Sequence, residues 1–327
     1  MAGKVALVST GGTIVSRVDA STGLAVPALS GDDLLQAIPG SEDLRGRIEV
    51  HDFARVGSPH ITPQHWVRLH SLVQSLLRRE DIDGVVVSHG TATLEETAWY
   101  LDLTLTGDKP VVFTGAQRNA STPDSDGPRN LRHAFMICAE PAARGKGVLV
   151  ALNDRINAAR DATKMHTVDV ETFQSGEWGY LGAVVDGRVR FHRAPLRRLS
   201  IPFVASEPPL VEIVSMYAGA TGTLVRAAAQ SGARGIVVQA VGGGHVSASM
   251  RDAIVEVLGQ GVAVVVATRI PRGGTRAGYG FDGSSQELAA SGAVLAGDLS
   301  AWKARVVLML ALQQPAMPPG ALQALYD

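Results

Sequence analysis

Three short polar stretches combine hydroxyls, glycines and a lysine in ways that could bind or attack a ligand. The first is Ser9-Thr10-Gly11-Gly12-Thr13. Two glycines let a backbone turn sharply and approach a ligand closely. Hydroxyls on either side could bond to that ligand or attack it, although the same residues would also make a plain strand-exit turn. A phosphate loop is disfavoured because no Gly-Lys-Ser/Thr follows, and the dinucleotide pattern GxGxxG is absent there.

The second stretch is Ser88-His89-Gly90-Thr91-Ala92-Thr93, followed by LEETAWYLDLT. A strand ends, a glycine turns and a helix begins near Thr93. Backbone N–H groups at a helix start can hold a carboxylate or a developing oxyanion. Taken alone, Thr91 or Thr93 is more commonly a helix cap. The third is Arg160-Asp161-Ala162-Thr163-Lys164. Partial burial would lower the pKa of Lys164 and make it a base for a hydroxyl. The competing reading is a surface lysine paired with Asp161.

Other chemistries find little support. His60 and His65 are not spaced as ligands on one helix face, and HExxH does not occur, so no metal is expected. GxSxG is absent too. Cys138 is the only cysteine and sits in LRHAFMICA, an apolar helical pattern that suits a core thiol.

These stretches need strands and helices to hold them. Apolar runs at Lys4–Ser9, Gly84–Ser88, Pro110–Thr114, Gly147–Leu152, Leu210–Ser215, Gly235–Gln239 and Ala263–Thr268 predict parallel strands covered on both faces. Thr62-Pro63 opens an amphipathic helix through Trp66, Leu69, Val73 and Leu76. Ser30 with Asp33 resembles a capping box, and Ser247 and Ser300 look like caps of two later helices. Strands alternating with helices predict α/β architecture.

A chain of 327 residues is long for one core, so two domains are expected. The stretch 193–209 holds four prolines and no clean period, which marks it as the linker. A larger N-terminal catalytic domain is therefore expected over 1–192 and a smaller one over 210–327. Formal net charge is -1, which does not favour nucleic acid or an anionic membrane as partner. The basic cluster Arg188, Arg190, Arg193, Arg197 and Arg198 reads as a solvated face. The absence of a signal-like or membrane-spanning run and the single cysteine point to the cytoplasm.

Taken in order, TGGTI, HGTxTxEETA, KPVVFTGAQR, SDGPRNL and ARDATK resemble the bacterial L-asparaginase/glutaminase family. The likeness spans most of the chain. It implies a larger N-terminal domain on a mixed or parallel sheet and a smaller flavodoxin-like C-terminal α/β domain. It implies a homotetramer, a dimer of dimers, with each active site completed by a neighbour's C-terminal domain. The implied reaction hydrolyses a small-molecule amide, asparagine to aspartate and ammonia, without metal or cofactor. By this resemblance Thr13 is the nucleophile, Thr91 the second-loop threonine and Lys164 the lysine that activates it. The Ala116 N–H helps hold the oxyanion, Ser58 binds the substrate's α-carboxylate, and Gly12 and Pro59 line the pocket.

Four departures from the family pattern stand out. Ala92 occupies the place of an aspartate that binds the α-ammonium and supports the Lys–Thr pair. Pro59 replaces a residue that reaches the same ammonium. The usual C-domain glutamate has no counterpart in RIPRGGTRAGYGFDGS, and Glu287 lies past it. Leu24 stands at the flexible-loop tyrosine, in a loop over Val18–Pro27 that Gly23 and the polar run before it allow to move. Three accounts of Ala92 compete: an engineered change that impairs the site, a natural enzyme for an amide lacking the α-amino group, or a non-catalytic ligand-binding relative. An amidotransferase subunit is disfavoured, because the chain starts directly at strand one.

Overall fold

The structure is a computed structural model that describes residues 3–38, 46–196, 198–315 and 320–327. Two compact units divide the chain, Met1–Ser200 and Ile201–Asp327. The division falls inside the proline-bearing stretch 193–209.

The first unit is built on eight strands: β1 (Lys4–Gly11), β4 (Ile48–Val56), β5 (Ile82–Ser88), β6 (Val111–Thr114), β7 (Val148–Leu152), β8 (Arg155–Ala158), β11 (Gly182–Val185) and β12 (Arg188–Phe191). Their order across the sheet is β12-β11-β8-β7-β6-β5-β1-β4. From β7 to β4 all neighbours are parallel, whereas β7, β8, β11 and β12 pair antiparallel. Two small hairpins lie outside this sheet, β2 (Ser16–Val18) with β3 (Ala25–Pro27) and β9 (Thr163–Lys164) with β10 (Phe173–Gln174).

Apolar residues run without a break through the central strands because both faces are covered. Val5 and Leu7 of β1 join a buried cluster with Leu34, Leu35, Leu131, Phe135 and Cys138. That cluster packs helices α1 (Gly31–Gln36) and α4 (Gly127–Ala139) on one face. The alternate residues Ala6 and Val8 are also fully buried and point to the other face. Helices α2 (Pro63–Leu77) and α3 (Leu94–Thr104) pack there on β5 and β7, tied together by Trp66 Nε1 donating to Thr97 Oγ1 at 2.9 Å. Cys138 is a core thiol, its pKa pushed up by burial.

Start signals behave as the side chains dictate. Ser30 Oγ accepts from the Asp33 N–H, while the Asp33 carboxylate accepts from the Ser30 N–H, which forms the capping box of α1. Arg188, Arg190, Arg193 and Arg198 are exposed, and Arg197 lies outside the described residues.

The second unit carries four parallel strands in sequential order, β13 (Val211–Ser215), β14 (Gly235–Ala240), β15 (Ala263–Thr268) and β16 (Val294–Leu295). Helices α5 (Thr223–Gln230), α6 (Ala248–Gly259), α7 (Ser285–Ala290) and α8 (Ala301–Ala311) accompany them. Ile236, Val238, Val264, Val266, Ile254 and Leu288 form its core. Ser247 and Ser300 cap α6 and α8 by accepting from the N–H groups of Met250 and Lys303. Among the described residues no helix is long and apolar enough to cross a membrane.

Candidate active site

Four adjacent parallel strands, β6, β5, β1 and β4, end at the same edge of the sheet. The chain leaves β1 to form β4 on one side and then crosses to form β5 on the other. Such a reversal opens a crevice beyond the carboxyl ends of the strands, where α/β sheets bind ligands. Each of the four strands delivers one polar loop to it: Gly12-Thr13 after β1, Ser58-Pro59 after β4, Gly90–Thr93 after β5 and Ala116-Gln117 after β6.

The loops touch backbone to backbone. Gly12, at φ 86°, lies so close to Gly90 that an added Cβ would stand 2.2 Å from the Gly90 Cα. A Cβ on Gly90 would in turn meet Ser58 Cβ and Oγ at 2.8 Å. Side chains at either position would push the loops apart, so glycine is required for close approach. Thr13 follows directly, in a single 3-10 turn with Ile14 and Val15 buried beneath it. Among the described residues nothing hydrogen-bonds the Thr13 hydroxyl, which is partly exposed.

Ser58 is buried and joins two loops. Its Oγ accepts from the Ala92 N–H at 3.2 Å, and its carbonyl accepts from Thr93 Oγ1 at 2.8 Å. Thr93 occupies the N-cap position of α3 without a side-chain cap bond, so its hydroxyl serves the loop contact instead. Pro59 is exposed in the turn that follows.

Thr91 is buried, and its hydroxyl meets Lys164 rather than the helix. Lys164 Nζ lies 2.7 Å from Thr91 Oγ1 and 2.9 Å from Gln117 Oε1, and Thr91 Oγ1 lies 2.9 Å from the same amide oxygen. Burial pulls the Lys164 pKa below the ordinary lysine value, against the opposing charge of Glu95. Glu95, on α3, also accepts the Lys164 backbone N–H at 3.3 Å. Asp161 pairs with Arg160 at 3.2 Å, and Lys164 turns inward.

Ala116 is fully buried below this group. The N–H groups of Gln117 and Arg118 bond to the Asp126 carboxylate at the head of α4. Asn130, one turn on, donates to that carboxylate and to the Gly115 carbonyl, each at 3.0 Å. Gln117, Glu95, Asp126 and Asn130 were not among the residues expected from sequence. All four lie inside the quoted motifs, and only their neighbours had a recognisable chemical role.

His89 underlies the second loop, fully buried against the Phe113 ring. Its Nδ1 is 2.8 Å from the Gly90 carbonyl. A carbonyl only accepts, so the proton sits on Nδ1. Burial pushes the ring's pKa down to about 4, so it is neutral at pH 7.

Ala92 is exposed, and beyond the backbone N–H it gives to Ser58 its side chain offers only a methyl group. Leu24 is 67% exposed at the end of the β2–β3 connection, whose turn is held by the Asp19 carboxylate through Ser21 and Thr22. In the second unit Glu287 is committed locally, accepting from the Gly283 N–H at 2.6 Å and pairing with Arg251 at 3.2 Å. Among the described residues no group of three or more His, Cys, Asp or Glu could hold a metal ion.

Residues 4–197 match the family profile described as "Asparaginase, N-terminal", and residues 210–325 match "Glutaminase/Asparaginase C-terminal domain". The chain is 38% identical over 309 residues to an L-asparaginase of Bacillus licheniformis, covering 94% of this chain and 95% of that protein. It is 36% identical over 321 residues to L-asparaginase 2 of Escherichia coli (strain K12), covering 96% and 90%. The crystal structure of a probable cytoplasmic L-asparaginase from Campylobacter jejuni superposes with a TM-score of 0.88 at 34% identity, covering 99% of each chain. The chain therefore belongs to the asparaginase family, with the N-terminal and C-terminal domains of that family in order.

Proposed function

We propose that this protein is an asparaginase-type amidohydrolase that converts L-asparagine to L-aspartate and ammonia. The observation that carries the reading is the Thr91–Lys164 contact of 2.7 Å at the strand edge that also presents Thr13. Thr13 attacks the side-chain carbonyl carbon, ammonia leaves, and water releases the acyl group from the threonine. A hydroxyl is a poor nucleophile at neutral pH and needs a base and a held oxyanion. The half-buried Lys164 amine, acting through Thr91, supplies the base. The Ala116 N–H is offered to the oxyanion, since the next two N–H groups are taken by Asp126. Ser58 receives the α-carboxylate, and Gly12 and Pro59 line the pocket.

Ala92 supports a second reading. It places no charge where an α-ammonium would sit, so a related amide lacking that group, such as succinamate, suits the site. A non-catalytic role as a ligand-binding relative predicts tight binding of aspartate or succinate without turnover. The N-terminal unit is the catalytic domain in this proposal, with 193–209 as linker. The family resemblance carries the further proposal of a cytoplasmic homotetramer, a location that the Campylobacter neighbour's name shares.

Ammonia release from asparagine, glutamine and succinamate tests the reading. The protein should release ammonia from at least one, and Thr13→Ala should abolish it without moving the melting temperature. Turnover retained in Thr13→Ala would move the nucleophile elsewhere.

A further inference from the structure

The side chain of Gln117 touches both members of the Thr91–Lys164 pair. Its Oε1 stands 2.9 Å from Thr91 Oγ1 and 2.9 Å from Lys164 Nζ. Its Nε2 donates to the backbone carbonyls of Asp169 at 3.1 Å and His166 at 3.5 Å. Those carbonyls accept only, and a lysine amine offers donors, so the orientation of the amide is determined by its partners. The backbone of Gln117 is held independently, by Asp126. The amide thus bridges the loop after β6, the loop after β5 and the turn that follows β9.

We propose that Gln117 is the positioning residue of the Thr91–Lys164 pair, its amide oxygen gripping hydroxyl and amine together while adding no charge beside them. The inference rests on the hydrolase reading for its functional meaning, and on geometry for its existence. Two proton arrangements satisfy the triangle. In one, Thr91 O–H points to Oε1 and a Lys164 N–H points to Thr91. In the other, Thr91 O–H points to the amine lone pair and a Lys164 N–H points to Oε1. Oε1 has a donor in both. The proton can therefore pass from Thr91 oxygen to Lys164 nitrogen, one O–H bond breaking as one N–H bond forms, without movement of heavy atoms.

Neutrality matters as much as position. A carboxylate in this place would favour the ammonium form of Lys164 and remove the base. The charged and titratable groups on the surrounding elements are already accounted for. Glu95 faces the lysine from α3, Asp126 is occupied by the N–H groups of Gln117 and Arg118, and Arg160 pairs with Asp161. His166 and Asp169 lie in the turn that receives the Gln117 amide, with His166 Nδ1 accepting from the N–H groups of Val168 and Asp169. Gln117 is the neutral partner among them.

The test uses the full-length protein with Gln117→Glu and Gln117→Leu. Competitive acetylation by acetic anhydride across pH, read by mass spectrometry of the Lys164 peptide, reports the lysine's titration without any need for turnover. Gln117→Glu should move that midpoint up by about one pH unit or more, and the pH limb of kcat should follow it. Gln117→Leu should lower kcat by about tenfold to a hundredfold with KM within about threefold. An unmoved labelling midpoint in Gln117→Glu, or a full kcat in Gln117→Leu, overturns the proposal. If the unaltered protein releases ammonia from no amide, the hydrolase reading fails, and labelling still decides the role of Gln117.

Discussion

Lys164 Nζ stands 2.7 Å from the hydroxyl of Thr91, at the end of a two-residue strand and half withdrawn from water. A lysine acts as a base only when deprotonated, and burial lowers the pH at which that happens. Activity should therefore rise with pH along a limb lying below the ordinary lysine range, and fall as the amine protonates. Lys164→Met should lower kcat by about a hundredfold or more. A flat profile over roughly pH 6 to 9 would remove the base from this position, as would full activity in Lys164→Met.

Ala92 invites the reverse experiment, one that adds a group. Its exposed methyl lies next to Ser58, the residue proposed to take the α-carboxylate. Ala92→Asp should place a carboxylate where the α-ammonium of asparagine would sit. The ratio of kcat/KM for asparagine to that for succinamate should rise by about tenfold or more, the size expected for one charge-assisted contact. An unchanged ratio would mean that Ala92 does not set this preference.

His89 should write itself into the pH dependence of stability. Its pKa is pushed down to about 4 in the folded protein, from an ordinary value near 6.5. The unfolded chain therefore binds the proton more readily. Stability is complete above about pH 6.5 and is lost as pH falls toward 4, by up to about 3 kcal/mol for a shift of this size. His70, whose pKa is likewise pushed to about 4 by burial, acts in the same direction. Urea midpoints across this window should fall with pH. His89→Asn keeps a donor for the Gly90 carbonyl but cannot charge, and should flatten the slope. An unchanged slope would show that His89 titrates normally.

The strands that carry the site were legible because burial on both faces demands unbroken apolar runs, as in Val85, Val86 and Val87. β4 was not foreseen. Its residues, IEVHDFARV, are polar at intervals because it is the edge of the sheet, with most positions only half covered. The antiparallel strands β8, β11 and β12 were missed as well, although their turns carry the right residues. Asn153-Asp154 and Asp186-Gly187 all adopt positive φ, the conformation that two-residue hairpins require. The intervening strands, such as RVRF, are too short and mixed to stand out.

At the site, Thr91 and Lys164 were legible as a hydroxyl and an amine within recognisable motifs. Gln117 was not, since its role exists only once Asp126 and Asn130 have folded the loop after β6 under the second loop. The two readings of Thr91 and Lys164, helix cap and surface ion pair, were settled by which partner lay within reach. Reach is a property of the sheet and not of local sequence.

The abutment of Gly12 on Gly90 joins residues far apart in the chain, and it forms only when β1, β4 and β5 have aligned in register. Contacts of high sequence separation form late, because loop closure must precede them. Catalytic competence is thus a readout of long-range sheet assembly. During refolding, helical signal should return ahead of any turnover, and a chain with native secondary structure but misaligned strands would be chemically silent.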